Sequence, residues 1–174
     1  MSSVIYFFVG LLLVVVGAVF SVGAVLPRDH IASRAITLRA PAHEVWMLLA
    51  DPRGYPSWRS SVKSVEILSK ENEPSRWVET SGSDRLKMAV VDSTPEQALV
   101  IRIDDDTLPY GGTWRFTLSP STNTADTRLE ITESGFVNPA PFRFLSRFVF
   151  GHATTMTRYL ADLEQRLKGA GIGR

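Results

Sequence analysis

The chain has 174 residues, 19 Lys and Arg against 18 Asp and Glu, and no cysteine. Without cysteine, a disulfide scaffold, a thiolate zinc site and a cysteine nucleophile are excluded, and the near-balanced charge leaves no footprint for nucleic acid. No charged side chain occurs in residues 1–26, so the other 148 residues are about one-quarter charged, as in an ordinary globular domain that buries its own core.

Val4 to Leu26 is a 23-residue run broken only by small residues, Gly10, Gly17, Ser21, Gly23 and two alanines. As a helix it reaches roughly 35 Å, enough for a hydrocarbon core of about 30 Å. A secretory signal is the rival reading, with Ser21, Gly23 and Ala24 as the cleavage candidate. No Lys or Arg precedes the run, however, and it exceeds the usual signal core, so a retained single-pass anchor is favoured. Arg28, Arg34 and Arg39 follow it, which places the large domain on the cytoplasmic side by the positive-inside bias. Pro27-Arg28-Asp29 then makes a short linker that holds the domain close to the bilayer. The expected division is an anchor over 1–27 and a domain over 28–174, folded from about 30 to 168 with a mobile tail at 169–174.

Ile31–Leu38 reads as a first strand, and Ala40-Pro41-Ala42-His43-Glu44 opens a helix with Pro41 suited to its first turn. Val45, Leu48 and Leu49 follow at helical spacing and Asp51-Pro52 ends the element. Six strands come next, at Val62–Ser69, Arg76–Thr80, Arg85–Asp92, Ala98–Ile103, Thr113–Leu118 and Thr127–Glu133, joined by short polar turns that favour an antiparallel meander. Pro139 and Pro141 introduce a last helix over Phe142–Lys168, closed by Gly169. Leu145, Val149, His152, Met156, Leu160, Leu163 and Leu167 form one apolar stripe on it, with Arg143, Arg147 and Arg158 opposite. The fold class is α+β, a seven-stranded antiparallel sheet curled around the last helix.

That order and several segments resemble the START-like (SRPBCC) superfamily with the helix-grip fold, in its polyketide cyclase/dehydrase and lipid-transport branch. The segments are Ala40–Trp46, Asp51-Pro52-Arg53-Gly54-Tyr55-Pro56-Ser57-Trp58, Leu108-Pro109-Tyr110-Gly111-Gly112-Thr113-Trp114 and Tyr159–Leu163, within residues 30–168. The resemblance implies a cavity between sheet and last helix that takes a hydrophobic small molecule, without metal or organic cofactor. It carries over no shared catalytic set.

Period-2 alternation turns Trp114 and Phe116 inward, with Met88 and Ile101 on neighbouring strands. With Trp77 they make the sheet side of the expected ligand site; facing Trp77 inward also turns Glu79 inward, where a carboxylate needs a partner. Leu145, Phe148, Val149, His152 and Met156 make the helix side. His152 is the candidate for orienting a ligand carbonyl or moving a proton. Leu108, Pro109, Tyr110, Gly111 and Gly112 suit a lid. His30 and His43 are expected to face solvent, and Asp104-Asp105-Asp106 to be a solvated loop rather than a calcium site. The leading expectation is membrane-anchored binding of a lipid, isoprenoid quinone or polyketide-like molecule. Its rivals are a cyclase or dehydratase using His152 with Glu79 or Tyr110, and an interaction module at the membrane whose protein partner the sequence does not name.

Overall fold

Alternating apolar and polar positions resolve into seven strands hydrogen-bonded in the order 29–38, 127–137, 110–120, 98–103, 84–94, 76–81 and 64–67, every neighbouring pair antiparallel. The computed structural model describes residues 2–70, 73, 75–121, 125–150 and 154–171, without the side chains of residues 2, 149, 150, 170 and 171. An apolar helix α1 (Ser2–Val25) precedes β1 (Asp29–Leu38); α2 (Ala42–Ala50) and a 3-10 turn (Pro52–Ser57) lead to β2 (Ser64–Ile67). The meander continues through β3 (Arg76–Ser81), β4 (Asp84–Thr94), β5 (Ala98–Ile103), β6 (Tyr110–Pro120) and β7 (Thr127–Val137). After it come α3 (Ala140–Leu145), a π-helical turn (Ser146–Phe150) and α4 (Thr154–Gly171).

The register stacks the inward side chains across strands: Trp114 stands opposite Ile101 and Glu133, and Phe116 opposite Leu99 and Ile131. Cross-strand neighbours of this kind are the unit of sheet stability. Helix α4 closes the concave face with Met156 and Leu163 fully buried and Tyr159 and Leu160 nearly so. Asp162 ties α4 to the segment after the 3-10 turn: its Oδ2 accepts from the Ser60 amide at 2.7 Å and the Ser60 hydroxyl at 2.8 Å. On the convex face Val78, Ala89 and Val100 are also buried, flanked in register by Arg76, Lys87, Arg102 and Arg115. The aliphatic stems of long charged side chains cover such positions.

Besides shifts of one or two residues at several element ends, the structure differs from the sequence pattern in three places. Strands β6 and β7 pair three and four residues further than alternation indicates, through Tyr110↔Val137, Gly111↔Phe136 and Gly112↔Gly135. Glycine carries no side chain to alternate, so the ladder there is invisible to periodicity. At Gly112 (φ +155°) a Cβ would stand 2.5 Å from the Ser134 carbonyl oxygen, so the close approach to β7 requires glycine. Second, the last helix is represented by α3, the π-helical turn and α4, and residues 151–153 between that turn and α4 lie outside the described residues. Third, α4 runs past Gly169 to Gly171, because Gly169 is not in a left-handed conformation that would stop it.

The packing partner of α3 is α1. Helix α3 packs on its C-terminal end, where Gly23 touches the backbone of Ala140 so closely that a Cβ would collide with the carbonyl. Arg143 then reaches back over that end: its Nη1 donates to the Leu26 carbonyl at 2.8 Å and to the Ala24 carbonyl at 3.4 Å, and its Nη2 to the Asn138 carbonyl at 3.2 Å. A cation satisfying the last carbonyls of a helix is matched to its negative pole. Arg143, expected on a free outer face, is instead the clasp between α1 and the domain.

Candidate ligand cavity

Between the sheet and α4 lies a cavity of about 340 Å³. Leu86, Met88, Ile101, Ile103, Trp114 and Phe116 supply its apolar wall from β4, β5 and β6. This volume lies at the small end of ligand pockets, suited to one chain or a few fused rings rather than a two-tailed lipid.

The polar part of the wall includes Tyr55, Arg59, Glu79 and Tyr159, with His30 and Glu133 also on it. The strand pattern turns Trp77 and Glu79 to the same face, and Glu79 finds two partners there. Arg59 Nη1 donates to Glu79 Oε1 at 2.8 Å, and Trp77 Nε1 donates to the same oxygen at 3.0 Å. Both charged side chains are nearly buried, at 12% and 10% exposure, so neither is tolerable without the other. The guanidinium also lies between two rings, 4.8 Å from the Tyr55 centroid and 4.9 Å from that of Tyr159, a cation–π contact on each side. Burial pulls the Arg59 pKa down, but Tyr159, Glu79 and Tyr55 outweigh it and hold the group above its ordinary value.

The two phenols differ. Tyr55 donates to the Leu49 carbonyl at 2.6 Å and so ties the 3-10 turn to the end of α2. The Tyr159 hydroxyl is buried and makes no hydrogen bond of good geometry, although Tyr55 is near enough to affect its ionisation. Its ring sits among Trp58, Trp114 and Phe116, with centroids 5.2, 5.7 and 5.4 Å away. Burial raises the pKa of both phenols, so each is a neutral donor over the ordinary pH range.

Of the residues expected at the site, Met88, Ile101, Trp114 and Phe116 line the cavity, as do Tyr110, Gly111 and Gly112. The last three belong to the β6–β7 ladder; Leu108 and Pro109 precede it and do not line the cavity. Trp77 lies beneath the wall, wholly buried and bonded to Glu79, and Met156 is core. Leu145 is half-buried and off the wall, and Phe148 is 61% exposed, because α3 and its π-helical turn follow α1 rather than the sheet. His152 and the Val149 side chain lie outside the described residues.

His30 departs from expectation: only 16% exposed, it lines the cavity with its Nε2 3.5 Å from Glu133 Oε1. Its ring lies against Gly135, where a Cβ would come within 2.8 Å. His43 is exposed, at 3.0 Å from Glu96. The acidic run is tied down rather than merely solvated, with Asp104 bonded to Arg76 and Arg102 and Asp105 3.5 Å from Lys87. Sequence reasoning did not single out Arg59, Tyr55 or Tyr159 as site residues. Tyr159 had a signal, three residues after Met156 and four before Leu163 on the buried stripe; Arg59, in an aperiodic turn, had none.

The match of residues 29–168 to the family model for polyketide cyclase/dehydrase and lipid transport is decisive. The chain belongs to this family, within the START-like superfamily. Similar solved structures include a START superfamily protein from Mycobacterium smegmatis, with 18% identity over 81% of this chain and 99% of that one, at a TM-score of 0.64. The Zhui aromatase/cyclase from Streptomyces sp. R1128 is 16% identical over 80% of this chain and 94% of that one, with a TM-score of 0.67. A protein from Thermus thermophilus reaches 18% identity over 81% and 99%, with a TM-score of 0.65. At these identities they support the helix-grip fold alone. No curated protein matches the sequence. The N-terminal helix of this family member is long and apolar enough to cross a membrane, a test that a signal sequence also passes.

Proposed function

We propose that this protein binds a hydrophobic small molecule of one chain or a few fused rings, with a hydrogen-bond acceptor at its buried end. The observation that carries the reading is an apolar cavity whose wall holds a buried phenol, Tyr159, with an unmet hydrogen bond beside a fixed cation, Arg59. A carbonyl or hydroxyl oxygen accepting from Tyr159 would satisfy that donor, while the rest of the ligand would replace water against Met88, Ile101 and Trp114. Membership of a cyclase/dehydrase and lipid-transport family supports the same ligand class. On this reading residues 1–27 are a retained anchor, residues 28–174 face the cytoplasm, and the anchor holds the cavity where apolar ligands dissolve.

The test is purification of the full chain in nanodiscs, followed by native mass spectrometry for copurifying molecules. A bound species with one oxygenated end is expected, and Tyr159→Phe should weaken its rebinding about ten-fold with little loss of stability. A cavity that neither copurifies nor takes up any apolar probe would overturn the reading.

The second reading, turnover of cyclase or dehydratase type, draws on the same four side chains, since a cation and a neutral phenol could polarise a carbonyl held between them. Product formation lost in Arg59→Met while a substrate analogue still binds would favour it over binding alone.

A further inference from the structure

At the anchor side the cavity adjoins a second hollow, of about 330 Å³, with which it shares His30, Val137 and Ser146. That hollow is lined by Leu26, Pro27 and Arg28 at the end of α1, by Asp29, and by Arg143 and Arg147. Three arginines thus face one carboxylate. Arg28 and Arg147 are exposed, and among the described residues no ion pair ties either to an acid. The Arg143 Nε and the Ser146 hydroxyl are buried there without a hydrogen-bond partner. The hollow begins one residue beyond the apolar helix, which on the proposed reading is the level of the lipid headgroups.

Two unpaired guanidinium groups beside unmet donors suit a phosphate or carboxylate, which accepts forked hydrogen bonds from arginine. We infer that the hollow between the anchor and α3 receives the anionic head of a single-chain amphiphile whose apolar part occupies the adjoining cavity. The inference rests on the proposed cavity reading and adds to it the charge of the ligand and its direction of entry, from the leaflet beside the anchor. Asp29 sets a limit on the head: a cation would find one partner and three repulsions.

All four tryptophans lie outside α1 and one of them, Trp114, lines the cavity. The full chain in phosphatidylcholine vesicles can therefore be titrated with bromine-labelled lysophosphatidate and with the monoacylglycerol of the same chain, reading tryptophan quenching. The anionic probe should bind about ten-fold more tightly. The double variant Arg28→Glu with Arg147→Glu should erase that preference and leave the neutral probe unchanged, which also shows that the domain is folded. Equal binding of the two probes by the unaltered chain would overturn the inference and leave the cavity reading standing, as would a preference that survives the double variant. If inorganic phosphate alone displaces the anionic probe at comparable concentration, the hollow is a free-anion site and the amphiphile is excluded. Quenching by neither probe removes the cavity reading and this inference together.

Discussion

At the scale of single residues, the side chains around Arg59 set both stability and chemistry. Removing Glu79 leaves a guanidinium in a site it cannot leave and Trp77 Nε1 without an acceptor, so Glu79→Ala should cost about 3 kcal/mol. Replacing both partners, Arg59→Met with Glu79→Leu, should recover most of that, because no charge is left stranded. Urea denaturation of the three proteins checks the pattern; equal losses in the single and double variants would contradict it. The buried phenols impose an alkaline limit. Their pKa values are raised in the folded state by burial, so folding favours the protonated forms. Their contribution is fully present below the ordinary tyrosine value of 10 and is lost as pH rises through the higher folded values. Stability should fall as pH rises above about 10, and Tyr55→Phe should flatten that fall at the expense of its bond to Leu49. A decline of the same slope in the variant would assign the alkaline limit to other groups.

At the scale of elements, the sheet keeps its curl through the small details of its strands. The turn after β5 is held by Asp104, which bridges Arg76 on β3 and Arg102 on β5. Hydrogen bonds from Arg102 and Arg76 lower the Asp104 pKa. The stabilisation this implies is complete above the ordinary carboxylate value near 4 and disappears as pH falls through the depressed folded value. Asp104→Asn should therefore be less stable than the unaltered chain at neutral pH and converge with it in acid, by denaturation at a series of pH values. A gap that persists in acid would point to packing rather than charge. The same scale shows why some boundaries were legible and others were not. Leu99, Ile101, Trp114, Phe116, Leu129 and Ile131 alternate regularly, and all six turn inward as alternation requires. Gly111, Gly112 and Gly135 carry no pattern, so the part of the ladder that they form is invisible to alternation.

At the scale of the molecule, the apolar helix and the domain are joined by more than three linker residues. The Gly23–Ala140 contact and the Arg143 bonds fix their relative direction, and with it the hollow between them. Gly23→Leu should pry α3 from α1 and release Arg143 from the Leu26 carbonyl. Faster proteolysis between residues 138 and 150 in the full chain, with the α4 segment still protected, is the expected result; unchanged cleavage would show that the contact does not hold the junction.

The apolar N-terminal helix, the seven strands, the antiparallel meander and the family are all legible in the amino-acid order, because each is written in local periodicity and in short motifs that need no distant partner. The same order also places Met88, Ile101, Trp114 and Phe116 on the inner face, since alternation alone decides that. The rest depends on how the elements pack. Arg59 comes from an aperiodic turn, Glu79 from β3 and Tyr159 from α4, and no local pattern relates positions separated by dozens of residues. His30 and Arg143 carry no local signal of their partners, because their surroundings are supplied by β7 and by the end of α1. Burial and charge pairing are properties of what packs against a side chain, and that is settled only when the whole chain has folded.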